Sequence, residues 1–174
     1  MNKLHVYTGD GKGKTTAAMG LALRSLGHGF PVLIAQFMKN GDSGEIAALG
    51  RFENAALRFA PPLRDFTFRM TPEQLDEARR GHTGFAERLA DEIEILSPRL
   101  IVLDELCCAL SLGLVAEDTG RRLLDAALRQ GETAVTGRDA PGWLRDRADY
   151  LSEIRAAKHP FDTEALPGRE GIEW

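Results

Sequence analysis

A glycine- and lysine-rich segment near the N-terminus has the residue types of a phosphate-binding loop. Residues 8–16 follow a short apolar run, 4–7, and lead into a helical pattern, 16–26. Glycines let backbone N–H groups approach phosphate oxygens, and the N-terminus of the next helix adds partial positive charge. We therefore predict that this segment binds the phosphates of a nucleotide through Thr8, Gly9, Asp10, Gly11, Lys12, Gly13, Lys14, Thr15 and Thr16.

The loop is one residue shorter than the usual pattern Gly-x₄-Gly-Lys-[Ser/Thr]. The position six before Lys14 is Thr8, and Gly9 leaves only three residues before Gly13. We expect Lys14 to reach the phosphates and Thr15 to hold Mg²⁺, in a cradle that differs slightly from the ordinary one. The alternative is a solvated glycine–lysine turn, which does not explain the second lysine, Lys12.

Two acids, Asp104 and Glu105, follow the unbroken apolar run 100–103. Such a run is expected for a central parallel strand that is buried on both faces. Ligands bind beyond the carboxyl ends of such strands, and carboxylates there hold Mg²⁺ directly or through water. We predict that Thr15, Asp104 and Glu105 form a site for Mg²⁺ (or Mn²⁺). The alternative is that the two acids only mark an exposed strand end.

Three further segments hold candidate residues. The polar, glycine-rich segment 37–45 follows the second strand and contains Lys39 and Glu45, which we add to the nucleotide-binding candidates. Arg138 follows the fifth strand and pairs either with phosphate oxygens or with a carboxylate of its own fold. Phe66 and Phe68 lie in a loop that is otherwise polar, either as a minor core anchor or as a lid over an apolar ligand.

The elements that must position these residues alternate along the chain. A long helical pattern begins after Thr71, with Pro72 at its first position, and ends before Pro98. Its apolar stripe comprises Leu75, Ala78, His82, Phe85, Leu89, Ile93 and Leu96. A second helix covers 117–130. Strands are predicted at 4–8, 31–37, 56–60, 100–105, 133–136 and 150–154.

This alternation predicts an α/β fold with a doubly wound, mostly parallel sheet of about six strands, helices on both faces, and a P-loop nucleotide-binding type. We expect residues 1–174 to form a single domain. The tail after His159 is expected either to pack over the site as a loop or to be a flexible end.

Composition narrows the setting. The chain has 22 basic and 26 acidic residues, which argues against a nucleic-acid partner. No apolar run approaches the length of a membrane helix, and no signal peptide is recognisable. Cys107 and Cys108 are adjacent, so they are expected to be small buried side chains in a reducing environment. We therefore expect a cytoplasmic protein with no membrane partner.

Taken together, these segments resemble the P-loop corrinoid adenosyltransferases, of the cob(I)yrinic acid a,c-diamide and cob(I)alamin type. The resemblance spans nearly the whole chain. It rests on the shortened loop 9–16, Gln36-Phe37-x-Lys39 with Gly44-Glu45, Leu103-Asp104-Glu105 with Ala109-Leu110 and Gly113, Thr136-Gly137-Arg138 with Ala140-Pro141, Ala148-Asp149, Ser152-Glu153-Ile154, Lys158-His159-Pro160-Phe161 and Gly171-Ile172-Glu173. The chain departs from the family where Phe68 occupies a position that is usually Trp. Longer members also carry an N-terminal segment that covers the site.

The resemblance implies an activity. Co(I) of a corrinoid attacks the 5′ carbon of ATP and the whole triphosphate leaves, in adenosylcobalamin biosynthesis or salvage. ATP is bound in reverse, with its γ-phosphate where the α-phosphate lies in ordinary P-loop enzymes. The catalytic residues implied are Lys14 at the triphosphate, and Phe66 and Phe68 as an apolar wall that displaces the lower cobalt ligand. The family usually forms homodimers, and a flavodoxin-like protein is the implied electron donor.

Two other functions remain open from the sequence. One is an ordinary P-loop NTPase or phosphotransferase that cleaves ATP at the γ-phosphate. The other is a non-catalytic module that binds a nucleotide or a corrinoid as a carrier or sensor. The set formed by Lys14, Thr15 and the pair Asp104-Glu105 argues against the second, because a binder does not need a full metal–phosphate site.

Overall fold

The computed structural model describes residues 1–172, apart from the side chains of residues 161 and 162. Within that part of the chain, six strands form one sheet: β1 (Leu4–Thr8), β2 (Val32–Gln36), β3 (Ala55–Phe59), β4 (Leu100–Asp104), β5 (Glu132–Thr136) and β6 (Tyr150–Glu153). The strand order is β3-β2-β4-β5-β1-β6, and every pair is parallel. Each of the six predicted strands is therefore confirmed, with ends that differ by at most one residue.

Helices connect the strands on both faces of the sheet. They are α1 (Lys14–Gly27), α2 (Gly44–Leu49), α3 (Pro72–Leu96), α4 (Leu106–Ser111), α5 (Glu117–Gln130), α6 (Gly142–Arg147) and α7 (Pro160–Glu164), with a short 3-10 turn at Thr67–Arg69. The predicted start of α3 is confirmed. The Thr71 side chain accepts from the Gln74 N–H, and the Gln74 side chain accepts from the Thr71 N–H, so two exposed donors of the first turn are satisfied.

The central strands are buried on both faces, and each face has its own apolar core. One core joins α3, α4 and α5 to side chains that include Leu33, Ala35, Ile101 and Leu103. The other joins α1 and α2 to side chains that include Val32, Ile34, Leu100 and Val102. Successive side chains of a strand point to opposite faces, so two unbroken apolar runs supply both cores. This confirms the doubly wound α/β fold.

The order of the strands decides which loops meet. β1 and β2 follow each other along the chain, but β4 and β5 lie between them in the sheet. The loops after β1, β2, β4 and β5 therefore gather at one edge, where the carboxyl ends of parallel strands meet. β5 separates the phosphate loop from the two acids by one strand, so its last residue, Thr136, is placed between them.

The ends of some elements differ from the sequence-based expectation. α1 begins at Lys14, inside the phosphate loop, two residues before the predicted start. The apolar stripe of α3 ends at Ile93, because Leu96 is 37% exposed at the last turn. All four residues of β6 are exposed, as befits an edge strand. No helix in the described range has both the length and the apolar character that crossing a membrane requires.

Candidate functional site

The phosphate loop takes its shape from the chain that follows β6. Gly9 has φ +105°, and a Cβ atom there would lie 2.3 Å from the Ile154 carbonyl oxygen. A Cβ on Gly11 would lie 2.7 Å from the carbonyl carbon of Arg155. The Gly11 N–H donates to the Ile154 carbonyl at 2.8 Å. Glycine is therefore required at both positions by a close backbone approach, in addition to any requirement of a phosphate.

A cavity of about 1000 Å³ opens in front of this loop. That volume is at the upper end of the range for small-molecule and cofactor sites, so the cavity is large enough for a nucleotide. The predicted site residues that line it are Asp10, Gly11, Lys12, Gly13, Lys14, Thr15, Thr16, Lys39, Glu45, Glu105 and Arg138. The structure thus brings together side chains from the loops after β1, β2, β4 and β5.

Three of the residues predicted to bind nucleotide or metal are placed outside this cavity. Thr8 is buried, and its hydroxyl accepts from the Ala140 N–H at 3.3 Å, so its side chain fastens β1 to the loop after β5. Gly9 lines a smaller neighbouring cavity of about 640 Å³, beside Arg155. Asp104 is fully buried behind the wall of the main cavity.

Lys14 lies in the phosphate loop in a setting that disfavours its charge. The residue is 9% exposed, and its Nζ donates to the Gly11 carbonyl oxygen at 2.7 Å. Burial lowers the pKa of Lys14, and the nearby positive charge of Arg138 lowers it further, while Glu105 raises it. An anion that entered the cavity would stabilise this ammonium group by both charge and hydrogen bonding.

The buried carboxylate of Asp104 is the centre of a dense set of hydrogen bonds. Its Oδ1 accepts from the hydroxyls of Thr15 at 2.9 Å and Thr136 at 2.6 Å. Its Oδ2 accepts from Gln36 Nε2 at 2.9 Å and pairs with Lys39 Nζ at 2.8 Å. A buried charge needs a partner and saturated hydrogen bonding, and both are present here. The predicted meeting of Thr15 with the acid after β4 is therefore what the structure shows.

Glu105 reaches the same place from a bent backbone. Its φ is +60°, and its N–H donates to the Thr136 hydroxyl at 3.0 Å. Its Oε1 lies 3.8 Å from Lys39 Nζ. Glu105 also lines the cavity, so the alternative that both acids only mark an exposed strand end does not hold.

The donors around Lys39 fit a small divalent cation. Hydroxyl and carboxylate oxygens are the ligands that Mg²⁺ prefers, usually together with phosphates and waters. Gln36 Oε1 is buried next to Asp104 without a hydrogen-bond partner among the described atoms, so it can accept from a metal-bound water. No cluster of three or more His, Cys, Asp or Glu side chains suited to a metal occurs in residues 1–172. Waters and phosphates would complete the coordination of such an ion.

Phe66 and Phe68 form an exposed aromatic pair away from the cavity-lining residues. Their side chains are 63% and 77% exposed, and their ring centroids are 5.5 Å apart. The guanidinium of Arg69 lies over both rings, at 5.6 and 5.5 Å from their centroids. The pair is therefore not a core anchor, and its role as a lid over an apolar ligand stays a prediction.

The sequence interpretation missed an apolar wall on one side of the cavity. It is formed by Met19, Leu23, Ala48, Leu49 and Phe52, from α1, α2 and the turn that follows α2. At helical spacing these residues look like ordinary core residues, so no local signal marks them.

Two further parts of the cavity come from α4 and the C-terminal tail. Cys108 lines the cavity, and its Sγ accepts from the Arg138 N–H at 3.1 Å. Burial, with the charge of Glu105, raises the pKa of Cys108 to about 12. The expectation that both cysteines are buried is correct for Cys107 but not for Cys108, which is only partly buried. His159, Gly171 and Ile172 also line the cavity, so the tail does pack over the site; Glu173 lies outside the described residues.

Fold and cavity together define a doubly wound protein of the P-loop type. A family model described as ATP:corrinoid adenosyltransferase BtuR/CobO/CobP matches residues 1–174, and the chain belongs to this family. A corrinoid adenosyltransferase of Pseudomonas aeruginosa is 33% identical over 98% of this chain and 83% of its own length. Corrinoid adenosyltransferase CobA of Salmonella typhimurium is 32% identical, and a corrinoid adenosyltransferase of Escherichia coli 34%, each over 97% of this chain and 84% of the relative.

Proposed function

We propose that this chain transfers the 5′-deoxyadenosyl group of ATP to Co(I) of a corrinoid and releases triphosphate, in adenosylcobalamin biosynthesis or salvage. The observation that carries the proposal is the convergence of Lys12, Lys14, Lys39 and Arg138 on one cavity of nucleotide size, with the Asp104 carboxylate behind it. Family membership supplies the corrinoid and the adenosyl group.

In the proposed reaction, negative charge develops on the triphosphate, next to the hydrogen-bond donors of the phosphate loop. The electron pair of Co(I) attacks the 5′ carbon, the bond from that carbon to the phosphate oxygen breaks, and its electrons leave with the triphosphate. The negative charge that develops lies on the phosphates. Lys14 lines the cavity and its Nζ is held by the Gly11 carbonyl oxygen, which supports a role for a preorganised donor at the triphosphate.

Mg²⁺ (or Mn²⁺) fits the oxygen set beside the loop. Thr15, Asp104 and Glu105 would hold it, and it would neutralise charge on the leaving triphosphate when bound. Thr136 and Gln36 fix the orientation of the Asp104 carboxylate through its two oxygens. The predicted nucleotide ligands Glu45 and Arg138 line the same cavity, so they remain candidates for contacts with ATP.

Phe66 and Phe68 are proposed to contact the lower face of the corrin. A stacked, exposed aromatic pair offers a flat apolar surface that excludes water from that face. Displacement of the lower cobalt ligand there would make Co(II) easier to reduce. Phe68 stands where the family usually has Trp, so this wall lacks an indole N–H donor.

We also propose a cytoplasmic homodimer that receives its electron from a flavodoxin-like protein. The net charge of −4 is consistent with the absence of a nucleic-acid partner. Sedimentation of the purified protein at several concentrations tests the dimer. Electron delivery is tested by replacing a chemical reductant with a reduced flavodoxin.

Analysis of the products separates this function from its alternatives. The protein is incubated with ATP, Mg²⁺ and chemically reduced cob(I)alamin, and the phosphorus products and the corrinoid are quantified. We expect inorganic triphosphate and adenosylcobalamin in equal amounts. ADP with inorganic phosphate would instead indicate an ordinary P-loop NTPase or phosphotransferase. Stoichiometric binding without any product would indicate a carrier or sensor.

A further inference from the structure

The ammonium group of Lys39 occupies the position where a metal ion would be expected. Its Nζ lies 2.8 Å from Asp104 Oδ2, 3.0 Å from Thr15 Oγ1 and 3.8 Å from Glu105 Oε1. These are the three side chains that the proposed function assigns to Mg²⁺. One cation at this point satisfies all three oxygens, and two cations would repel each other strongly at such a distance.

The position of Lys39 is fixed by the turn before it. Met38 has φ +56°, an uncommon conformation for a residue with a side chain. The Met38 N–H donates to His82 Nε2 at 3.3 Å, while His82 Nδ1 donates to the Ala78 carbonyl oxygen at 3.0 Å. His82 is fully buried in α3, so it holds the turn from within the core. The direction in which Lys39 points is therefore determined by tertiary structure.

A buried polar atom beside the ammonium group remains unsatisfied. Gln36 Nε2 donates to Asp104 Oδ2, but Gln36 Oε1 has no hydrogen-bond partner among the described atoms. Buried acceptors in native proteins are nearly always satisfied. A hydrated metal ion next to Asp104 would bring water donors to this oxygen, which the lysine does not.

We propose that the Lys39 ammonium group takes the place of the metal ion whenever nucleotide is absent. It neutralises the buried Asp104 carboxylate in the empty protein. When a metal–nucleotide complex enters, the metal takes the oxygens, and the ammonium group moves to the phosphates. This inference rests on the proposed function only in that the ligand of the cavity carries phosphates and a divalent metal.

Metal and nucleotide should consequently bind together. A metal ion that arrives alone must expel the Lys39 ammonium into a cavity that holds no anion to receive it. If the arrangement that is open to metal is populated about one tenth of the time, the apparent affinity for metal alone is reduced about tenfold. Phosphates remove this penalty because they provide a new partner for the ammonium group.

The test measures binding of Mn²⁺ alone, by the loss of the free-ion signal in electron paramagnetic resonance. We expect Lys39→Met to bind Mn²⁺ about tenfold tighter than the unaltered protein. Mn²⁺ alone should also raise the melting temperature of Lys39→Met more than that of the unaltered protein. If Lys39→Met does not fold, Lys39→Gln replaces it, because its amide can still donate to Asp104.

Lys12→Met is the matched control. It removes one positive charge from the lining of the same cavity, at a lysine whose Nζ donates to the Ile172 carbonyl oxygen in the C-terminal tail. Unchanged or weaker Mn²⁺ binding in the Lys39 variant would overturn the inference. Equal tightening in both variants would also overturn it, because the effect would then be one of general charge. The Mn²⁺-binding assay contains neither ATP nor corrinoid. A failure of the proposed function would therefore be detected separately, in the product analysis.

Discussion

The surroundings of Lys14 disfavour its protonated form while no anion is bound. It is nearly buried, donates to the loop's own Gly11 carbonyl, and lies near Arg138, and its pKa is lowered as a result. The lowered pKa means that Lys14 loses its proton at a lower pH than an ordinary lysine. Binding of phosphates should therefore weaken as the pH rises toward the ordinary lysine value, and the bound anion should restore the proton by raising the pKa.

Lys14→Ala should lower turnover by roughly 10²–10³-fold, the usual effect of removing one preorganised donor at a developing charge. The melting temperature should change little, because the Lys14 side chain lines a cavity at the sheet edge. Initial rates of adenosylcobalamin formation measure the effect. Lys3→Ala serves as the control, since Lys3 pairs with Asp149 at the other end of β1. A folded Lys14→Ala protein with near-normal turnover would refute the assignment.

Glu105 should govern the requirement for metal. Glu105→Gln keeps the size of the side chain but removes the charge that faces Lys39 and the cavity. We expect a higher Mg²⁺ concentration for half-maximal rate, together with a lower maximal rate, because a carboxylate ligand is lost. The measurement is rate against Mg²⁺ concentration. Glu94→Gln, which alters an exposed pair with Arg129, is the control, and equal small effects in both would make Glu105 structural.

The aromatic pair should matter for one redox state of the substrate. Phe66→Ala removes half of the exposed stack, so we expect most activity with cob(II)alamin and a reductant to be lost. Activity with chemically pre-reduced Co(I) should fall much less, because that substrate no longer needs its lower ligand displaced. The ratio of the two activities in Phe66→Ala and Phe68→Ala is the decisive measurement. A parallel decline with both substrates would assign the loop to folding or to ATP binding.

At the scale of elements, the sequence predicts those features of a helix or strand that neighbouring residues determine. The start of α3 is marked by the neighbouring residues Thr71 and Pro72, and the apolar run of β4 is contiguous, so the sequence predicts both correctly. His82 was placed in the apolar stripe of α3 by its helical spacing. It is indeed buried there, but its partner is Met38, which is 44 positions away in the chain. A contact at that distance leaves no periodic signal.

The same reasoning explains which parts of the site were found. The glycines, lysines and acids of the site can be recognised in the sequence from their residue types and from their positions after a strand. The shape of the loop, however, depends on contact with Ile154. The apolar wall depends on which side chains of α1 and α2 face the cavity after the two helices have packed on the sheet. Thr8 is the opposite case, since its place in the motif suggested a ligand whereas its hydroxyl serves the Ala140 N–H. These features become visible only when the elements are assembled.

His82 should make the fold sensitive to acid. Burial lowers the pKa of His82 below its ordinary value of 6.5. The unfolded chain then binds more protons than the folded one in the window below that value, so the free energy of unfolding falls as the pH falls through it. Protonation would also remove the acceptor of the Met38 N–H. Denaturant unfolding measured from pH 7 to 5 should show this loss of stability.

The variant His82→Leu isolates the effect. It should cost roughly 1–3 kcal/mol at neutral pH, because the Met38 N–H and the Ala78 carbonyl lose a partner. It should also flatten the dependence of stability on pH between 7 and 5. His28→Gln, at an exposed position after α1, should leave that dependence as it was. A pH dependence that persists unchanged in His82→Leu would exclude His82 as its source.

At the scale of the whole molecule, the cavity connects four strand ends, so a ligand there should stabilise the entire sheet. We expect inorganic triphosphate, the proposed leaving group, to bind the folded chain and not the unfolded one. At one hundred times its dissociation constant it should add about 2.7 kcal/mol, which corresponds to roughly 5–11 °C in melting temperature for a chain of this size. Thermal unfolding with Mg²⁺ and triphosphate measures this shift.

Sodium chloride at equal ionic strength is the comparison for that experiment, because chloride screens charges to the same extent without being a tetrahedral oxyanion suited to the phosphate loop. Lys14→Ala should show a much smaller shift with triphosphate than the unaltered protein does. An equal shift in the two proteins would mean that triphosphate binds elsewhere on the surface.

The phosphate loop leaves the ribosome long before Ile154, the residue of the same chain that shapes it. Gly9 and Gly11 are made long before Ile154, because they precede it by 145 and 143 positions in the chain. Until Ile154 emerges, both glycines remain free of the close backbone approach that restricts them in the folded protein. The growing polypeptide thus displays the nucleotide motif without the cradle. We expect its capacity to hold ATP to arise abruptly, once Ile154 has emerged.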